Sequence, residues 1–300
     1  MVQWPTVVTS LCFDGAAGLA RRQRVLENCQ FGLNLYTEFS GKFTVEVGLS
    51  MLANAFDDVA LGLPPNWLRF CRACDMCPVS QQIAVNAGMH QHMFPSVCSL
   101  LPSQALRNGV AELSPCKDDN NESKIGAHAL QDRFLKQHEF KLNEYECGGE
   151  CALHPGESCP VVVPAADLPF LGGTAVDMNW SGPVCLPWCG NGKRSGMADM
   201  SIESFNVYKS CLRMQDYHVK AVENAPGFPF SSWLADTTPD DCAFKGKKAN
   251  FGPTDIGYPV LRHRLQGMAF SECQGPRIDF KRARWFKLTF PPEISERLKP

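Results

Sequence analysis

The chain has 300 residues, 44% of them hydrophobic and 20% charged, with a formal net charge of −2. That length gives one large or two small domains with a real core, and the near-neutral charge excludes nucleic-acid binding by bulk charge. No apolar run reaches the roughly 18 residues needed to span a bilayer, and the N-terminus lacks the basic lead of an export signal, so no membrane contact and an intracellular place, nuclear or cytoplasmic, are expected.

Taken in chain order, residues 1–34 read as an N-terminal extension. Residues 35–60 then read as strand, tight turn and helix, with Val45, Leu49, Leu52 and Ala53 at helical spacing. LRFCRAC, 68–74, has strand length and composition. PVSQQIAVNAG, 78–88, reads as a helix with Pro78 in its first turn and Gly88 at its stop. HMFPSVCSLL, 92–101, reads as a third strand. The first third is thus β-α-β-α-β, the pattern of a parallel sheet with helices on its faces.

Residues 102–175 break that pattern and read as an insertion: a polar loop, a helix over 127–145, and the Gly/Pro/Cys-rich stretch ECGGECALHPGESCP, 146–160. The α/β pattern resumes with a strand over 174–180, a helix over 202–217, a strand over 218–222 and a last strand ending near 270. The stretch 277–299 carries seven basic residues against three acidic ones, net +4; residues 276–300 read as a basic tail, ordinarily a solvated one.

Fifteen cysteines, an odd number in a large chain without an export signal, read mostly as reduced thiols. Cys147, Cys151, His154 and Cys159 place four soft ligands in thirteen residues, which suits zinc in donor type but departs from the usual knuckle spacing. Cys71, Cys74 and Cys77 lie on a strand and its following turn and read as core and loop residues.

Polar clusters at 39–44, 75–76, 183–185 and 223–224 each follow a predicted strand, and in open α/β sheets ligands collect at the carboxyl ends of strands. The order of these clusters resembles the DNA (cytosine-5) methyltransferase family. Pro183-Val184-Cys185-Leu186 stands where that family has Pro-Pro-Cys-Gln, followed without a gap by PWCGNGKRSGMAD. Glu223-Asn224-Ala225 stands for its Glu-Asn-Val, 38 residues after Cys185. Gly257-Tyr258-Pro259 and Arg262-His263-Arg264 stand for its Gly-x-Pro and arginine motif.

The resemblance implies a Rossmann-like S-adenosylmethionine-dependent sheet over 35–275, with helices on both faces and the Cys/Gly-rich insertion at 102–175. It implies Cys185 as the nucleophile toward carbon 6 of cytosine, Glu223 at N3, and Arg264 with Arg262 on the O2 side. The cofactor would meet Phe39, Ser40, Gly41, Glu46, Asp75, Met76 and Pro183. DNA is the implied partner, RNA the less favoured one. The second glycine of the family's first motif is Phe43 here, the third motif offers Ser96, and the terminal Gly-Asn-Ser-Val motif and target-recognition region have no counterpart after Arg264. A protein partner would then supply target recognition. The competing readings are a catalytically degenerate relative kept as a cofactor- or nucleic-acid-binding scaffold, and a zinc-organised interaction module. Cys189 is read as a bystander, and Gly190–Gly196 as a mobile loop over the flipped base.

Overall fold

A computed structural model describes residues 13–29, 32–39, 41, 44–58, 61–138, 147–162, 175–189, 194–215, 217–251 and 263–272. The helices are α1 (Gly15–Cys29), α2 (Thr44–Asp58), α3 (Pro78–Ala87), α4 (Gln104–Glu112), α5 (Asn121–Gln137), α6 (Ile202–Met214) and α7 (Phe230–Thr237). The strands are β1 (Leu33–Glu38), β2 (Leu68–Cys74), β3 (His90–Phe94), β4 (Cys147–Cys151), β5 (His154–Pro160), β6 (Val176–Ser181), β7 (Val219–Asn224), β8 (Phe244–Phe251) and β9 (Arg264–Ser271).

Seven strands form one sheet in the order β3-β2-β1-β6-β7-β9-β8, and β4-β5 forms a separate antiparallel hairpin. Strands β3, β2, β1, β6 and β7 are parallel, whereas β9 runs antiparallel to β7 and to β8. The chain winds outward from β1 to β3, then returns through β6 on the other side of β1. The switch point lies between β1 and β6, and in such sheets ligands bind at the carboxyl ends of the strands there. This order, closed by an antiparallel hairpin, is the Rossmann-like sheet of S-adenosylmethionine-dependent methyltransferases.

Both faces of the sheet are covered. On one, Leu35, Met178, Val219 and Ala221 pack with Leu49 of α2. On the other, Tyr36, Cys71, Phe94 and Val222 join Tyr208, Cys211, Phe230 and Trp233 from α6 and α7. Lys209 of α6 ties the helical layer together through Asp236 of α7 at 2.8 Å and Asp132 of α5 at 3.3 Å. A polar seam crosses the strands: buried Arg72 of β2 pairs with Glu38 of β1 at 2.6 Å and donates to the Tyr217 hydroxyl at 2.8 Å. Asn179 of β6 donates to the same Glu38 carboxylate. Removing Arg72 or Glu38 would strand a buried charge, so this pair ties β1 to β2.

Several element bounds differ from the sequence expectation for local reasons. The third strand stops at Phe94 because Pro95 follows, and Val97–Leu100 turns into a 3-10 helix whose N-cap Ser96 accepts from the Cys98 N–H at 3.2 Å. The helix expected over 127–145 begins at Asn121, where Asn120 caps it by accepting from the Ser123 N–H at 2.9 Å, and it ends at Gln137. The helix expected to 217 stops at Met214, and β7 extends past the expected 222 to Asn224. No disulfide joins two of the cysteines whose side chains are described. Ser40, Arg262, Gly190–Lys193 and the basic stretch 277–299 lie outside the described residues.

Candidate functional site

Cys185 follows the end of β6, Glu223 is the penultimate residue of β7, and Arg264 opens β9. The antiparallel register explains how residues 41 positions apart meet: Asn224 lies opposite Leu265 and Glu223 opposite Gln266, so β9 begins where β7 ends. The Arg264 Nε donates to Glu223 Oε1 at 2.7 Å, with both side chains partly exposed.

The turn carrying Cys185 is held from β7. Asn224 Nδ2 donates to the Pro183 carbonyl at 2.7 Å, and the Trp188 and Cys189 N–H groups both donate back to the Cys185 carbonyl at 3.0 Å. The Trp188 ring packs edge-on against Phe228 and Phe205 at 5.0 and 5.2 Å. A Cβ at Gly227 would stand 2.8 Å from the Trp188 carbonyl, so the loop after β7 touches the Cys185 turn only because residue 227 is glycine. Asn224, Gly227 and Trp188 position the site. Gly227 and the packing role of Trp188 leave no local pattern in the sequence, because their partners are distant in the chain.

Cys185 is half-buried. Burial is the main cause that pushes its thiol above the ordinary range; the Cys189 thiol hydrogen-bonded beside it pushes the same way, and the Arg264 guanidinium opposes both. Cys189, a bystander by sequence, sits one turn from Cys185, its N–H on the Cys185 carbonyl and its thiol toward the Leu186 carbonyl.

On the β1 side, Phe39 adopts φ +57°, a left-handed conformation that is sparse for a bulky residue and marks stored backbone strain at a strand end. Its N–H donates to the Cys74 carbonyl at 2.8 Å and its ring packs on Tyr208. Asp75, just past β2, accepts from the Gly41 N–H at 2.7 Å and the Cys77 N–H at 2.8 Å. This carboxylate thus ties the turn after β1 to the turn after β2. Met76 beside it is 71% exposed. Phe39, Asp75, Met76, Ser96 and Ser204 line a hollow of ≈ 10 Å³.

Gly182 joins the two halves, since a Cβ placed there would lie 3.6 Å from both Glu223 Oε2 and the Phe39 carbonyl. Phe39, Gly41, Asp75, Met76, Pro183, Cys185, Glu223 and Arg264 are accordingly distributed around the carboxyl ends of β1, β2, β6 and β7. Glu46 is not among them. It is buried on the inner face of α2, where it accepts from the Thr37 hydroxyl at 2.7 Å and faces His90 at 3.4 Å. Of the four suggested zinc ligands, Cys151, His154 and Cys159 converge. His92 of β3 lies with them, one ligand atom from each of the four within 4.8 Å of the others, and the backbone of Cys147 pairs with Pro160.

No family model matches the chain, and no curated protein does either. Among solved structures it is similar to the Schizosaccharomyces pombe (S. pombe) Dnmt2 methyltransferase, with TM-score 0.40 and 15% identity over 81% of this chain and 52% of that one. It is similar to the Entamoeba histolytica methyltransferase EhMeth, with TM-score 0.40 and 13% identity over 80% of this chain and 53% of that one. A triple mutant of Spodoptera frugiperda DNMT2 gives TM-score 0.38 and 13% identity over 80% of this chain and 50% of that one. The chain spans about half the length of these proteins.

Proposed function

We propose that this chain transfers a methyl group from S-adenosylmethionine to carbon 5 of a cytosine in nucleic acid, with DNA the first substrate to test and RNA the second. One observation carries the reading: a cysteine, a glutamate and an arginine from the ends of β6 and β7 and the start of β9 gather at one rim of a methyltransferase-type sheet.

Carbon 5 of cytosine is a poor nucleophile. Adding the Cys185 thiolate to carbon 6 turns the ring into an enamine able to attack an electrophilic methyl group. Glu223 would hold N3 as charge builds on the ring, and Arg264 would turn from Glu223 toward the O2 side. After transfer, loss of the carbon 5 proton to a base expels the Cys185 thiolate and restores the aromatic ring. The target base would have to leave its stack to reach these groups, so a flipped or unpaired cytosine is required.

S-adenosylmethionine supplies the methyl group when bound. The donor set at the end of β2 fits it: the Asp75 oxygens each accept one N–H and retain a lone pair for ribose hydroxyls, and Met76 offers an exposed apolar surface for adenine. Gly41 and Phe39 would border it, with Pro183 on the β6 side. Ser40 and Arg262 remain part of the proposal from their place in the motifs, as do the catalytic span 35–275 with its 102–175 insertion, and a partner supplying target recognition.

A second reading, a scaffold that retains the fold without turnover, draws on the hollow of ≈ 10 Å³ beside Asp75, which admits a water but not a nucleoside unless Phe39 or Met76 moves. Calorimetric titration with S-adenosylmethionine separates the two. The enzyme reading expects saturable binding by the wild-type chain, methyl transfer to cytosine, and a Cys185→Ala variant that binds the cofactor equally but transfers nothing. Absence of binding, or full activity in Cys185→Ala, overturns it.

A further inference from the structure

We propose that His92, Cys151, His154 and Cys159 form a structural zinc site that staples the β4-β5 hairpin to the edge strand β3. This inference is independent of the methyltransferase reading.

One ligand atom from each of these residues lies within 4.8 Å of the others. His154 Nδ1 is 3.5 Å from Cys151 Sγ and 3.3 Å from Cys159 Sγ, and the His92 and His154 rings are 5.3 Å apart. Tetrahedral zinc with bonds of about 2.3 Å to sulfur and about 2.0–2.1 Å to nitrogen requires sulfur–nitrogen separations of about 3.6 Å. The two sulfur–nitrogen spacings at His154 are close to that value, and the other ligand atoms lie within 4.8 Å. Two thiolates and two imidazoles favour zinc over hard cations.

The backbone explains how ligands at an irregular spacing meet. Cys151 and His154 face each other across the two-residue turn of the hairpin. His154 and Cys159 are an odd number of residues apart, which on a regular strand would put them on opposite faces. The pairing jumps from Cys151↔His154 to Glu150↔Ser158, so residues 155–157 bulge outward, with Gly156 at φ +81°. That bulge returns Cys159 to the face of His154. Cys147 is four residues from Cys151, roughly 13 Å along an extended strand, so the assignment takes His92 as the fourth ligand in its place.

The surroundings suit a metal held for structure. Cys151 is fully buried and Cys159 is 4% exposed. The Met93 N–H points at Cys151 Sγ at 3.5 Å, the backbone support that zinc thiolates commonly receive. Ala152 N–H donates to the Met93 carbonyl at 2.8 Å, so the hairpin already docks beside His92. Glycine at 148 and 149 lets β4 approach the 97–100 turn, since a Cβ at Gly148 would stand 2.4 Å from the Ser99 carbonyl.

The test uses the full chain. Purified protein should carry about one zinc per chain by elemental analysis. After chelator stripping, cobalt(II) should restore a tetrahedral spectrum with thiolate charge-transfer bands. His92→Gln and Cys159→Ser should each lose the stoichiometric metal, whereas Cys147→Ser should keep it. A folded wild-type chain that neither carries zinc nor takes up cobalt overturns the proposal. Retention of stoichiometric zinc by His92→Gln together with its loss in Cys147→Ser overturns the ligand assignment. The cobalt titration on the wild-type chain decides the matter even where a variant fails to fold.

Discussion

Cys185 and Cys189 lie one helical turn apart, and their contact makes the site more than a motif. Cys189 adds to the burial that pushes the Cys185 thiol pKa up, while Arg264 works against it. In Cys189→Ala the thiol pKa should therefore fall, and alkylation of Cys185 by iodoacetamide near neutral pH, followed by peptide mass spectrometry, should be faster than in the wild type. In Arg264→Gln it should be slower. Equal rates in all three proteins would show that these neighbours do not tune the thiol. Cys185, Glu223 and Arg264 were legible in sequence because each follows or opens a strand in a recurring order. The Cys185–Cys189 contact was not, because it depends on the 185–189 segment coiling into a turn. Glu46 shows what spacing alone does not reveal: helical phase rotates this acidic residue inward toward Thr37 and His90.

Element by element, the parallel strands and their helices were readable because buried strands are apolar runs bounded by turn residues and the helices carry 3.6-residue periodicity. Boundaries failed where one residue governs them, as at Pro95 and Asn120. Nothing local in KGKKANF or LQGMAF revealed that β8 and β9 form an antiparallel pair at the end of the sheet, because that pairing is set by α7 lying across it. A Cβ at Gly267 of β9 would stand 2.2 Å from the Phe230 ring, and one at Gly246 of β8 2.7 Å from Leu234. Gly267→Ala should thus destabilise the protein by about 1–3 kcal/mol in urea unfolding, through overpacking. The penalty should shrink when the change is made in a Phe230→Ala background, where the opposing ring is gone. An unchanged penalty there would place its origin in strand backbone effects instead of the ring.

For the whole molecule, the buried thiols set an alkaline limit. Burial pushes Cys71 and Cys211 from the ordinary 9.0 up to about 12, and Cys29 up to about 11. A raised folded pKa gives stability that is complete below the unfolded value and lost as pH rises through the folded one. Unfolding free energy should therefore hold steady below pH 9 and decline between pH 9 and 12, with a shallower decline in Cys211→Ala measured against its own neutral-pH value. An unchanged slope in that variant would count against the thiols as the cause. The long sheet also has two ends, and they are protected differently. At β3 a folded hairpin docks beside the outer strand. At β8, the last strand among the described residues, stand Lys245, Lys247 and Lys248, with Lys245 paired to Glu272. Like charges brought side by side repel another strand, so that end is shielded by electrostatics, which salt screens, and the other by packing, which it does not. Self-association through strand addition should then begin at β8 under high salt and at β3 only when the hairpin is dislodged.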